Sequence, residues 1–282
     1  MQIGVCTTDF AAQPVEQLFS RIAAYGFTQV QFSFSSIGED EMPESVSKSL
    51  LSRIRRSLKV NQLELVAINA TFNMIHPDLA ERSKGIARFP LLAYVAQLLD
   101  CPVLTLCSGT NDTEDMWRWH PDNETELSWR NMIAVMEDLL LCADKNDLYL
   151  GVETEASNVV SSAERARRLL DEVSSPRLKI VMDCANLFQK GSARPELVRS
   201  VIGKAFDLLG SAVILAHGKD LTEGESLRFT TPGKGIIDYN YFLEQLRLSG
   251  YSGGMLLHGI QNESEIPECL AFMRKEIAQV FF

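Results

Sequence analysis

Residues 148–187, LYLGVETEASNVVSSAERARRLLDEVSSPRLKIVMDCANL, decide the fold. Leu148 to Val152 is a short apolar run that predicts a strand, and it stops at Glu153. A loop through Asn158 leads into a charged helix from Ser161 to Glu172, whose apolar residues Ala163, Ala166, Leu169 and Leu170 fall on one side. Pro176 bars further helix. A second strand, Leu178 to Met182, stops at Asp183 and is followed by Cys184, Ala185 and Asn186. Two strands joined through a helix pair in parallel, so both carboxylates leave one sheet at the same edge. That edge is where parallel α/β proteins keep their chemistry.

The same alternation runs outward in both directions. Strands are expected at Ile3–Cys6, Thr28–Phe34, Leu63–Ala70 and Pro102–Cys107 before this stretch, and at Ala212–Ala216 and Met255–Leu257 after it. Helices are expected near 14–24, 44–58, 83–99, 124–145, 196–209, 239–248 and 266–280, with a polar loop over 221–235. Eight strand-then-helix units with no linker or composition break predict a single-domain (β/α)8 TIM barrel of the α/β class over residues 1–282. A doubly wound open sheet is the alternative, but no GxGxxG follows the first strand.

The formal net charge of −10 argues against nucleic acid or an anionic membrane as the main partner, because both need a concentrated basic surface. The start of the chain lacks the basic and apolar pattern of a signal peptide, so a cytoplasmic location is expected. Six cysteines without a CxxC pair are expected to be reduced; Cys184 alone stands next to candidate chemistry, with a packing role as its plainer reading. Barrels often pair into homo-oligomers, yet no interface is legible in the sequence.

All four histidines, His76, His120, His217 and His258, fall at or just past expected strand ends. Glu153, Asp183, His217 and His258 close the last four strands in succession and can converge in the barrel mouth. Clustered carboxylates repel unless a cation or a shared proton offsets them. This mixed oxygen and nitrogen set suits Mn²⁺, Zn²⁺, Co²⁺ or Fe²⁺ better than Ca²⁺, with Mg²⁺ also admitted. A hydrogen-bonded polar cluster without metal is the alternative. The segment from Met116 to Asn123 holds two of the three Trp residues, and a loop this long and aromatic suggests a functional role. Trp117, Arg118, Trp119 and His120 are expected to line or close a substrate pocket, and His76 to contact substrate from the third unit.

At these residues the chain resembles the xylose-isomerase-like sugar phosphate isomerase/epimerase superfamily of metal-dependent (β/α)8 barrels. The resemblance rests on Gly151-Val152-Glu153 with Asn158, on Met182-Asp183-Cys184-Ala185-Asn186-Leu187, on Ala216-His217-Gly218-Lys219-Asp220, and on Pro232-Gly233-Lys234-Gly235 followed by Asp238-Tyr239. It implies metal binding by Glu153, Asp183 and His217. The fourth family ligand is a Glu at the last strand end, and His258 stands there. In ketose epimerases of the family the two Glu residues also trade the proton, so the resemblance leaves His258 as ligand, as acid/base, or as the mark of a different chemistry. Asn186 replaces a histidine found in some members and retains the capacity to bond a substrate hydroxyl.

The activity implied is that of a metal-dependent isomerase or epimerase acting on a small sugar, sugar phosphate or related polyol. Glu153 is expected as ligand and base, with His258 or Glu155 as partner acid/base. Lys219 is expected to neutralise an enediolate oxygen or hold a substrate anion, or else to pair with Asp220 or Glu153. Arg228 and Lys234 are weighed as phosphate contacts against an ordinary exposed loop. Dehydratase or hydrolase chemistry on the same metal platform, and a non-catalytic sugar-binding barrel, are the alternatives.

Overall fold

The computed structural model describes residues 1–281. Eight parallel strands close into a barrel: β1 (Ile3–Cys6), β2 (Gln29–Phe32), β3 (Glu64–Asn69), β4 (Val103–Leu106), β5 (Tyr149–Glu153), β6 (Leu178–Asp183), β7 (Val213–Gly218) and, after a hairpin, β10 (Met255–Leu257). The hairpin strands β8 (Asp220–Leu221) and β9 (Phe229–Thr230) pair with each other outside the barrel. β9 lies within, and β8 at the start of, the stretch expected to be a polar loop; at two residues each, they are too short for alternation to show.

Eight helices pack around the barrel: α1 (Val15–Tyr25), α2 (Lys48–Val60), α3 (Leu79–Leu98), α4 (Glu126–Lys145), α5 (Ala163–Val173), α6 (Val198–Leu209), α7 (Tyr239–Leu248) and α8 (Ile266–Phe281). Among the described residues no helix is long and apolar enough to cross a membrane. All six cysteines are free, as expected. Where expectation and structure differ at helix starts, local capping explains it. Ser47 accepts from the Leu50 amide and starts α2 later than its apolar pattern suggests, and Asp78 accepts from the Ala80 amide and starts α3 earlier.

The barrel interior is filled toward its amino-terminal end by Ala67, Val103, Val181, Leu215 and Leu256. Polar side chains gather toward the other end. Two register shifts interrupt the pairing: opposite Val30 and Gln31 of β2, β3 carries Val66 as an extra residue, and opposite Ile180 and Val181 of β6, β7 carries Ile214. A bulge re-aims the residues that follow it. Asn69 on β3 and His217 on β7 are polar residues that follow these extra positions.

The segment after β4 is ordered by two buried amides. Asn158 accepts from the Gly109 amide at 2.9 Å and donates to the Met116 carbonyl at 2.9 Å. Asn123 accepts from the Asn111 amide at 2.8 Å and donates to Thr110 Oγ1 and the Ser157 carbonyl, each at 2.9 Å. Gly109 takes φ +81°, and a Cβ there would strike Asn73, so glycine is the residue this turn accepts.

Candidate active site

A cavity of about 600 Å³ opens at the carboxyl ends of the strands. Glu153, Glu155, His217, Lys219, His258 and Trp117 line it. Asp183 lies beneath its floor with no exposed surface.

His217, at the end of β7, is the hinge of the cluster. Its Nε2 donates to Gln31 Oε1 at 2.9 Å, and the Gln31 amide in turn donates to Thr105 Oγ1 at 3.3 Å. An amide oxygen only accepts, so Nε2 carries a proton, and Nδ1 is the ring nitrogen left to offer a lone pair. That atom stands 3.4 Å from Glu153 Oε1 and 3.8 Å from Asp183 Oδ2. Asp183 Oδ1 accepts from the amides of Ala185 and Asn186, at 2.8 and 3.1 Å, which fixes the carboxylate plane. Asp183 Oδ2 and His217 Nδ1 are buried without a hydrogen-bond partner. Buried polar atoms are seldom left so.

One ligand atom each from Glu153, Asp183 and His217 lie within 4.8 Å of one another. Two orphaned lone-pair atoms beside a carboxylate oxygen are what a divalent cation needs, and Gln31 supplies the backing bond that metal-bound imidazoles usually have. The residues therefore fit the metal the sequence implies. His258 is placed differently: its Nδ1 bonds Asp9 Oδ1 at 3.2 Å, and its ring centroid is 5.8 Å from that of His217. Asp9 also accepts from the Gly259 and Ile260 amides and so holds the end of β10.

Asn186 organises the acids. Its Nδ2 donates to Glu153 Oε1 at 2.8 Å and to Glu155 Oε1 at 2.6 Å, while Lys219 Nζ donates to its Oδ1 at 2.7 Å. All its polar capacity on this side is used, and it does not line the cavity. Lys219 rests 3.8 Å from the centroid of the Phe229 ring. Its expected partner Asp220 is engaged elsewhere, accepting from the Leu221, Gly233, Gly235 and Ile237 amides. Burial, with Glu153 and Asp183 close by, pushes Glu155 up to about 8 against the pull of Lys219. Burial likewise raises Asp183.

The aromatic loop behaves less uniformly than its composition suggests. Trp117 joins the cavity wall. Arg118 turns to Asp112 and Glu114, Trp119 is half-exposed, and His120 accepts from the Asp122 amide to start a short 3-10 turn. His76 accepts from the Asp78 amide. None of these four lines the cavity. Cys184 packs behind the floor with its thiol donating to the Lys219 carbonyl, whereas Cys107 faces the cavity. Sequence reasoning passed over Gln31, Asp9 and Cys107. A glutamine in a strand buried on both faces was the available signal for the first.

Residues 19–276 match the family described as xylose isomerase-like TIM barrel. The chain belongs to this family. L-ribulose-5-phosphate 3-epimerase UlaE of Shigella flexneri serotype 5b (strain 8401) is 22% identical over 247 residues, 84% of this chain and 80% of that protein. Among solved structures, a D-tagatose 3-epimerase-like protein superposes with a TM-score of 0.77 at 15% identity, covering 99% of this chain and 98% of that one. The IOLI protein with a bound zinc atom superposes with a TM-score of 0.72 at 15% identity, covering 100% and 99%. In the xylose isomerase-like barrel seen here, the expected strand ends carry Glu153, Asp183 and His217, and His258 occupies the end of β10.

Proposed function

We propose that the protein is a divalent-metal-dependent isomerase or epimerase of a small sugar or sugar phosphate. The observation that carries this reading is the meeting of Glu153, Asp183 and His217, with two buried acceptor atoms unpartnered, under an open cavity. The sugar epimerases among its relatives and the zinc in one neighbouring structure support it. Glu153, Asp183 and His217 would hold the ion, which supplies Lewis acidity to a substrate carbonyl and the hydroxyl beside it.

The protein's own groups then divide the proton work. Glu153 lines the cavity, and its Oε1 is held by Asn186, which leaves Oε2 to accept a proton from the carbon next to the carbonyl. Glu155 shares the same Asn186 amide, so it approaches from the same side. A proton returned from that side to the former carbonyl carbon, with the adjacent hydroxyl's proton passing to the former carbonyl oxygen, would shift the carbonyl along the chain. His258 stands three strands round the barrel from Glu153, with Nδ1 held by Asp9. A proton delivered from its Nε2 would reach the opposite face and invert the carbon. Lys219, fixed by Asn186, balances negative charge on substrate oxygen.

The test is solvent exchange in deuterium oxide over a panel of ketoses and their phosphate esters. One deuterium should enter at the reacting carbon per turnover, chelation should stop it, and returning the metal should restore it. A protein that holds no transition metal and cannot be loaded with one would sink the reading.

A further inference from the structure

Building on that reading, we infer that the substrate is an uncharged sugar, carrying neither phosphate nor carboxylate, because the barrel's own carboxylates already fill the positions where a substrate anion would sit. Barrels commonly receive phosphate in the loops after their last strands and at the helix N-termini nearby, where backbone N–H groups converge. In the loop after β7 and at the start of α7, carboxylates of the protein already accept such amides. The Leu221, Gly233, Gly235 and Ile237 amides of the loop between β7 and α7 all donate to the Asp220 carboxylate, at 2.9, 3.0, 3.0 and 3.1 Å. Asp238 caps α7, accepting from the Tyr241 amide at 3.0 Å. Before α8, Glu263 and Glu265 occupy the entering turn, and Glu265 takes the Thr231 hydroxyl and Lys234.

The cations near the mouth are committed as well. Lys219 is bound to Asn186 and seated on the Phe229 ring. Arg118 is chelated by Asp112. Arg228 sits between Leu227 and Phe229, which line the cavity, while its own guanidinium lies by Gly224 and outside the lining. Successive residues of an extended strand point to opposite sides, which is why the two apolar neighbours face in and the arginine does not. Away from Glu153, Glu155, Lys219 and the two histidines, the wall includes the uncharged Ser33, Asn69 and Thr71 together with the apolar Trp117, Leu227 and Phe229. Hydroxyl and amide groups opposite an apolar surface suit sugar hydroxyls and the C–H face of the ring. A phosphate dianion would enter beside Glu153 and Glu155, with Lys219 already assigned to charge on the reacting oxygen and no second lysine or arginine in the lining to meet it.

The experiment compares free ketoses with their own phosphate esters, pair by pair, on the metal-loaded protein. Turnover is followed by deuterium incorporation, and binding separately by quenching of tryptophan fluorescence, since Trp117 stands in the cavity wall. The expected kcat/KM for the free sugar exceeds that of its ester by at least about 100-fold, a discrimination of the size expected for an unmet buried charge. An ester that is turned over or bound as well as the free sugar overturns the inference, as does a failure of every free sugar to bind. Preferential binding of free sugars without any exchange would instead leave the inference standing and remove the isomerase reading beneath it.

Discussion

Asp183→Asn should strip the protein of its metal and its activity while leaving the fold intact, whereas Asp183→Ala should damage both. The two oxygens of Asp183 have separate duties. Oδ1 caps the turn after β6 by accepting from Ala185 and Asn186, and Oδ2 is the buried, unpartnered atom that faces His217. Asparagine keeps an acceptor at the first position and places an N–H₂ at the second, where it can donate to the bare His217 Nδ1 and cannot ligate. Metal affinity should fall by more than about 100-fold, since loss of even an outer partner costs 10- to 100-fold. Alanine removes the turn's acceptor too and orphans two buried amides, costing about 2–4 kcal/mol. Metal content by mass spectrometry and thermal midpoints of the three proteins separate these effects. An Asp183→Asn protein with its full complement of metal would mean that the ion, if any, sits elsewhere.

How much of this site the sequence shows depends on how local each cause is. Glu153, Asp183 and His217 are legible because a residue at the carboxyl end of a barrel strand is placed by the strand alone, and the barrel closes whatever the loops do. Gln31 is not, because its role comes from the His217 ring it meets across the barrel, a partner 186 residues away that no single strand reveals. The loop residues mislead for a different reason. His76 and His120 both stand before Pro-Asp, and in each the ring Nδ1 accepts the amide two residues on, at 3.1 and 3.2 Å. Both act as local caps whose spacing is visible in the sequence, and neither ring reaches the cavity lining. Arg118 has Asp112 and Glu114 within six residues, and that nearness decides its partner before any substrate could. Long-range placement is thus readable at strand ends, while in loops short-range partners take precedence.

The largest stability loss from one exposed-loop family motif should come from Asp220, and it should arise almost as strongly from asparagine as from alanine. Asp220 is 1% exposed, and each carboxylate oxygen accepts two amides: Leu221 and Ile237 on Oδ1, Gly233 and Gly235 on Oδ2. The carboxylate takes the place of a hydrogen-bonded strand in ordering residues 231–237, which carry the chain from the β8/β9 hairpin into α7. Alanine orphans all four donors. Asparagine retains one oxygen but turns an N–H₂ toward two N–H groups, so donor meets donor. At about 1 kcal/mol or more for each buried donor left unmet, Asp220→Ala should cost about 4 kcal/mol, a fall of roughly 10 °C in Tm, and Asp220→Asn at least half of that. Gly235→Ala should approach the same loss by another route, because a Cβ there would collide with the Asp220 carboxylate and the Leu221 carbonyl. If Asp220 served chiefly as a charge partner for Lys219, the loss from Asp220→Asn would fade at high salt. Melting curves of the three variants, taken at low and high ionic strength, decide between a carboxylate that holds a loop and one that balances a lysine.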